Sequence, residues 1–285
     1  MRKHLFNVRT SAIAALVLGL CTTAMAAELM AAELKQKTVS AFDQYVSATQ
    51  ARFANEVRPG GAFLYVDSLP EAEKKSAYEE LKRGEIPVYK LETRQQGREI
   101  NVPEAIVHHW VGIIFIPGVT MAQALPVVRD YDHRADLYKP EVTTSRTISR
   151  QGDDYKIFLR LYQKKFTTVV FNTEYDIHWR QFDEHRYSSD SISTRVAELK
   201  DSNKPDGEEF PVGKDHGYLW RLNTYWRFQE KDGGVYLQCE LVSLTRDIPT
   251  GLGWLLRPLV TSIPRNSLQR ALGRTREVIV QQAKH

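Results

Sequence analysis

The hydrophobic pattern of this chain moves between helical and strand periods. Residues 33–56 place Val39, Phe42, Tyr45, Val46 and Phe53 near one helical face, and Arg58-Pro59-Gly60-Gly61 stops that helix. Residues 62–66 read as a short strand, 70–82 as a charged helix capped from Ser68 and ended by Gly84, and 88–94 as another strand. Residues 106–116 form a nearly continuous apolar run closed by Pro117-Gly118, which predicts a strand buried on both faces. Thr120 then caps a helix carrying Met121, Leu125, Val128 and Tyr131.

Beyond Pro140 a strand period takes over. Strands are predicted at 142–150, 155–164, 167–179, 187–199, 218–229 and 235–245, with Gly152-Asp153 and Asp232-Gly233 as hairpin turns. Links this short imply an antiparallel meander. The long exception is 200–217, a polar connection holding Pro205 and Pro211. Pro264 opens a terminal helix with Leu268, Leu272 and Ile279 at helical spacing. The stretch 251–264 before it, with Trp254 and Pro258, reads as an interrupted entry that could gate a hollow, with 200–217 as the facing lid. A kinked helix and a plain surface loop are the alternative.

The expected fold class is therefore α+β: a seven-stranded curved antiparallel sheet around a long C-terminal helix, with an N-terminal helical extension. In 218–229, Trp220, Leu222, Thr224, Trp226 and Phe228 share one face, and Leu219, Arg221, Asn223, Tyr225 and Arg227 share the other. In 235–245 the more apolar face holds Val235, Leu237, Cys239, Leu241 and Ser243. These two apolar faces are expected to meet the terminal helix, as a filled core or as the wall of a cavity.

The N-terminus changes the meaning of the charge. Arg2, Lys3 and Arg9 precede a small, apolar stretch at 11–20, and Ala24-Met25-Ala26 has the form of a signal-peptidase site. The expected organisation is a signal peptide at 1–26, an extension at 27–104 and the main domain at 105–285. Cys21 follows bulky Leu20, which argues against a lipid anchor. The net charge of +4 falls to +1 once those three basic residues are removed, so nucleic acid is not an expected partner. Of the two cysteines only Cys239 survives cleavage, so no internal disulfide is available to a periplasmic or secreted product.

Candidate chemistry is sparse. His108 and His109 are neighbours on a strand and point to opposite faces, so they cannot chelate one ion together. Glu174, Asp176 and His178 share a face, which is either an acid–base set or a solvated side with cross-strand partners such as Arg160. Cys239 lacks an identifiable histidine partner. No phosphate loop, dinucleotide fingerprint, nucleophile elbow or metal spacing is present, so no cofactor, metal or catalytic residue is expected.

Particular segments carry a resemblance. His108-His109-Trp110-Val111-Gly112, Phe115-Ile116-Pro117-Gly118, Asp130-Tyr131-Asp132, Tyr138-Lys139-Pro140, the run from His216 to Asn223, and the run from Ser243 to Pro249 resemble the START/polyketide-cyclase superfamily of helix-grip proteins, in an exported bacterial branch. The resemblance covers 105–283 and implies an apolar hollow between sheet and terminal helix, though no specific chemistry. Its expected lining is His108, Trp110, Tyr225, Trp226, Cys239, Leu241, Trp254 and Leu268. The function implied is non-enzymatic binding of a lipid or other hydrophobic small molecule, with transient membrane contact compatible. The alternatives are a cyclase- or dehydratase-like enzyme, if His108, Tyr225 or Glu240 converge in the hollow, and a solid interaction scaffold.

Overall fold

The structure, a computed structural model, describes residues 32–164, 168–204, 206–248 and 253–284, and for 253–261 the backbone alone. The expected signal peptide lies outside the described residues.

Eight strands form one antiparallel sheet: β1 (Val88–Lys90), β2 (Ala105–Pro117), β3 (Val142–Gln151), β4 (Asp154–Lys164), β5 (Thr168–Gln181), β6 (Arg186–Glu198), β7 (Arg221–Lys231) and β8 (Gly234–Arg246). Their spatial order is β1-β2-β8-β7-β6-β5-β4-β3. The sequence predicted seven strands in the sheet. The eighth is β1, whose Val88, Tyr89 and Lys90 pair with Gly112, Val111 and Trp110 at the edge of β2. Asp232 and Gly233 both have positive φ, 57° and 73°, which gives the β7–β8 hairpin the twist its strands need.

One layer covers the convex face. In α1 (Gln36–Glu56), Thr38, Phe42, Tyr45, Thr49 and Phe53 recur at helical spacing and are buried. Phe42, Tyr45 and Phe53 pack on Trp220, Tyr225, Val242 and Leu244. The strand predicted at 62–66 is instead an irregular segment running into a 3₁₀ turn, Tyr65–Ser68. It has no partner strand, so side chains satisfy its backbone. Leu64 N–H donates to Asp67 Oδ2 (3.2 Å), Tyr65 N–H to Gln238 Oε1 (2.6 Å), and the Phe63 carbonyl accepts from Arg227 (2.8 Å). Helix α2 (Glu71–Lys82) then buries Ala77 and Leu81 in a cluster with Ile113, Phe115 and Tyr236. The extension thus closes one side of the sheet.

Three helices cover the other face: α3 (Met121–Arg129), α4 (Arg134–Leu137) and α5 (Gly253–Gln282). Thr120 N–H donates to Gln123 Oε1 (3.0 Å), half of the capping box that starts α3. Helix α5 begins at Gly253, not at the predicted Pro264, so the expected interruption does not break the backbone helix. Leu268, Leu272, Thr275 and Ile279 form its buried stripe. The helix packs tightly on β2 at Gly112, where a Cβ would sit 2.6 Å from Leu272 Cδ1. With layers on both sides, Val111, Ile113, Ile114 and Ile116 are all fully buried, which explains the unbroken apolar run in β2.

The connection 200–217 is held on the convex side. Its Lys214–Asp215 pairs with Ala32–Glu33, and Glu209 accepts from Asn172 Nδ2 (2.7 Å) and pairs with Arg195. Its described residues therefore pack on the α1 side of the sheet, not on the α5 side where a lid was expected. Among the described residues, no helix is long and apolar enough to cross a membrane.

Candidate functional site

Cross-strand register builds the concave face in three rungs. The first aligns His108 with Ser243 and Leu222. The second aligns Trp110, Leu241, Thr224 and Ser191, and the third Gly112, Cys239, Trp226 and Ser189. Coverage by the helical layer is uneven. Ile114, Ile116, Val235 and Leu237 are sealed, whereas Trp110, Leu222, Thr224, Trp226 and Ser191 stay half-buried. The result is a largely apolar strip, two tryptophans and a leucine wide, along an otherwise packed interior.

Five of the predicted lining residues, His108, Trp110, Trp226, Cys239 and Leu241, lie on this concave surface, and Leu268 faces it from α5, its Cδ2 lying 3.4 Å from where a Cβ on Gly112 would be. The side chain of Trp254 lies outside the described residues. Tyr225 is a correction: it sits on the convex face, paired with Glu240 and packed 5.6 Å from the Phe53 ring. Adjacent strand residues must point to opposite faces, so Tyr225 and Trp226 cannot line one hollow.

His108 is buried and its Nε2 lies 3.0 Å from the Thr245 hydroxyl. Burial, helped by the nearby Lys90 charge, pulls its pKa down from 6.5 to about 4, so it is neutral at pH 7. A histidine with a lowered folded pKa contributes fully above pH 6.5, and that contribution is lost as pH falls towards 4. The shift corresponds to stability on the order of 3 kcal/mol. His108→Gln should flatten this acid dependence, which urea midpoints at pH 7.5 and 5.0 would read. An unchanged difference between the two pH values would show that His108 does not set it. Burial also pushes the Cys239 thiol well above its ordinary range, which makes it a poor nucleophile.

The richest polar cluster occupies the opposite face. Thr93 N–H donates to Tyr45 Oη (2.8 Å), Tyr45 lies 2.8 Å from His109 Nδ1, and His109 Nε2 lies 2.7 Å from Glu240 Oε1. One assignment satisfies all of these groups: Tyr45 donates to Nδ1, and Nε2–H donates to Glu240. Arg52 also pairs with Glu240, and the fully buried Arg227 pairs with Glu56. Burial would raise the Glu240 pKa, but the His109 hydrogen bond and then the charges of Arg52 and Arg227 hold it at about 2. Sequence reasoning missed this network. Its signal was a charged residue in the middle of each of two apolar strands, with Arg52 and Glu56 one turn apart on α1.

His108 thus faces α5 while Tyr225 and Glu240 face α1, so the three do not converge. Glu174, Asp176 and His178 lie on the solvated side. Asp176 pairs with Lys156 (3.5 Å), His178 with Asp154 (2.5 Å), and Glu174 is in register with Arg195. Arg160, the expected partner, donates instead to Asn172 Oδ1 (2.8 Å). Among the described residues, no three His, Cys, Asp or Glu side chains gather in a way that could hold a metal ion.

A strand, two helices, six antiparallel strands and a terminal helix lying on the concave face of the resulting sheet complete the helix-grip order. The fold is START-like. No family model matches the chain, and no match was found among curated proteins. Among solved structures, the STAR-related lipid transfer protein of Xanthomonas axonopodis is similar over 67% of this chain and 93% of its own, at 16% identity and a TM-score of 0.44. Human STARD10 is similar over 76% of this chain and 84% of its own, at 10% identity and a TM-score of 0.45. The Zhui aromatase/cyclase of Streptomyces sp. R1128 is similar over 62% of this chain and 96% of its own, at 10% identity and a TM-score of 0.40. Likeness at this level carries nothing about ligand or reaction.

Proposed function

We propose that this START-like chain is an exported, non-enzymatic protein that binds a lipid or another hydrophobic small molecule against the concave face of its sheet. The observation that carries the reading is the half-buried strip Trp110, Leu222 and Trp226, flanked by Leu241 and Cys239, beside the terminal helix. Burial of apolar ligand surface there would contribute roughly 25 cal/mol per Å². The signal-peptide pattern at 1–26 supports export to the periplasm or beyond. The separation of His108 from Tyr225 and Glu240 onto opposite faces weighs against a reaction in the hollow.

The test is titration of the chain from Ala27 with a dye that brightens in apolar surroundings, together with Trp226→Arg. The substitution places a charge in the strip and is expected to weaken binding at least about tenfold, because the guanidinium must be desolvated when the ligand covers it. Circular dichroism would establish that the variant is folded. Dye binding unaffected in a folded variant would place the ligand elsewhere, and no binding to either protein would remove the proposal.

A further inference from the structure

We infer that the ligand's polar end is uncharged, a hydroxyl or carbonyl on a long apolar body, received by the neutral side chains around Thr224 and Ser191. This rests on the concave strip being the ligand surface. The central strands sort their charges by face. On the concave rungs the polar groups are the hydroxyls of Ser243, Thr224, Ser191 and Ser189, the Cys239 thiol and the neutral imidazole of His108. Glu240, Arg227, Asp190 and Asp176 point the other way, and each has a partner of opposite charge there: Arg52, Glu56, Arg180 and Lys156.

Among the described residues, three ionised groups that approach the concave side from elsewhere are engaged. Arg129 lies 4.5 Å over the Trp179 ring and 3.4 Å from Asp153. Arg134 donates to the Val128 carbonyl and to Tyr138 Oη. Glu230 accepts from Met121 N–H at 2.6 Å. Lys90, next to Trp110 on the edge strand, is exposed.

The wall holds one more polar group of the same kind. Tyr175, in register with Ser193, is buried, and among the described residues its hydroxyl makes no well-formed hydrogen bond; the Thr173 hydroxyl near it donates to the Leu159 carbonyl (2.8 Å). A hydroxyl or carbonyl can be satisfied by such a lining, because serine and threonine both donate and accept. Lys90, in register with Trp110, is the cation of the second rung, but it lies at the exposed edge, three strands from Thr224. A carboxylate or phosphate received at Thr224 and Ser191 would be desolvated with no cation among those inner rung residues to offset the loss.

The test is a comparison at pH 7.5 of a long-chain alcohol, the carboxylic acid of equal chain length and a plain hydrocarbon, each competing with the apolar dye, on the wild-type chain and on Thr224→Val. The alcohol is expected to bind at least about tenfold more tightly than the ionised acid. Thr224→Val is expected to weaken the alcohol by about three- to tenfold and leave the hydrocarbon unchanged. An acid that binds as tightly as the alcohol, or a variant that weakens alcohol and hydrocarbon equally, would overturn the inference while leaving the apolar site standing. Failure of all three to displace the dye would overturn the inference and the binding reading beneath it.

Discussion

Glu56→Leu is expected to lower stability by about 3–5 kcal/mol, although Glu56 lies at the end of a helix and is only partly buried. The reason is the residue it leaves behind. The Arg227 side chain is fully buried in the middle of β7, where burial pulls its pKa down and Glu56 opposes the shift. Its remaining support is the Phe63 carbonyl, the face of Phe53, 4.2 Å from the guanidinium, and the charge of Glu240, which Arg52 already pairs. Removing the carboxylate strands a charge in a low-dielectric layer. Glu56→Leu combined with Arg227→Met is expected to recover most of the loss, because two apolar groups can replace a buried pair when both partners go. Urea unfolding of the two single variants and the double variant measures this. A single Glu56→Leu cost under about 1 kcal/mol, the range of an exposed pair, would mean that the pair does not anchor α1 to the sheet.

Gly112→Val is expected to be the most disruptive change on the other face, costing about 1–3 kcal/mol or more. The added Cβ would lie 2.6 Å from Leu272 Cδ1, 3.3 Å from Val88 Cγ2 and 3.4 Å from Leu268 Cδ2. Leu272 and Leu268 are themselves buried and cannot swing into solvent. Either α5 lifts from the sheet or both leucines leave their rotamers. Gly112→Val should therefore also raise dye binding or make it heterogeneous, by loosening α5 against the sheet beside Trp226. A fully stable variant with unaltered dye binding would show that α5 does not seat on β2 at this point.

The central fold was legible because period and parity are local properties. The apolar run before Pro117 announced a strand covered on both faces, and Asp232-Gly233 announced the β7–β8 turn. Parity also assigned Trp226 and Cys239 to one face before any register was known. The same parity places Tyr225 on the face opposite Trp226, so a lining that holds one excludes the other. What was not legible depended on partners distant in sequence. Val88–Lys90 is a strand of the sheet because β2 offers it an open edge, and 62–66 is not one because it lies across the convex face, where side chains and not a strand edge satisfy its backbone. The start of α5 at Gly253 was hidden by Pro258 and Pro264, which locally argue against a helix. The network of Arg52, Glu240, Arg227 and Glu56 joins residues far apart in sequence, and only folding brings them together.

The position of a bound apolar molecule is the most direct measurement of this account. A long-chain alcohol carrying a photoreactive diazirine, irradiated on the purified chain and followed by peptide mapping, reports which side chains touch it. Labels are expected on β2, β7 and β8 at Trp110, Leu222, Trp226 and Leu241, with competition by unlabelled alcohol. Labels confined to the convex layer, around α1 and Tyr225, or labels that unlabelled alcohol does not suppress, would contradict it.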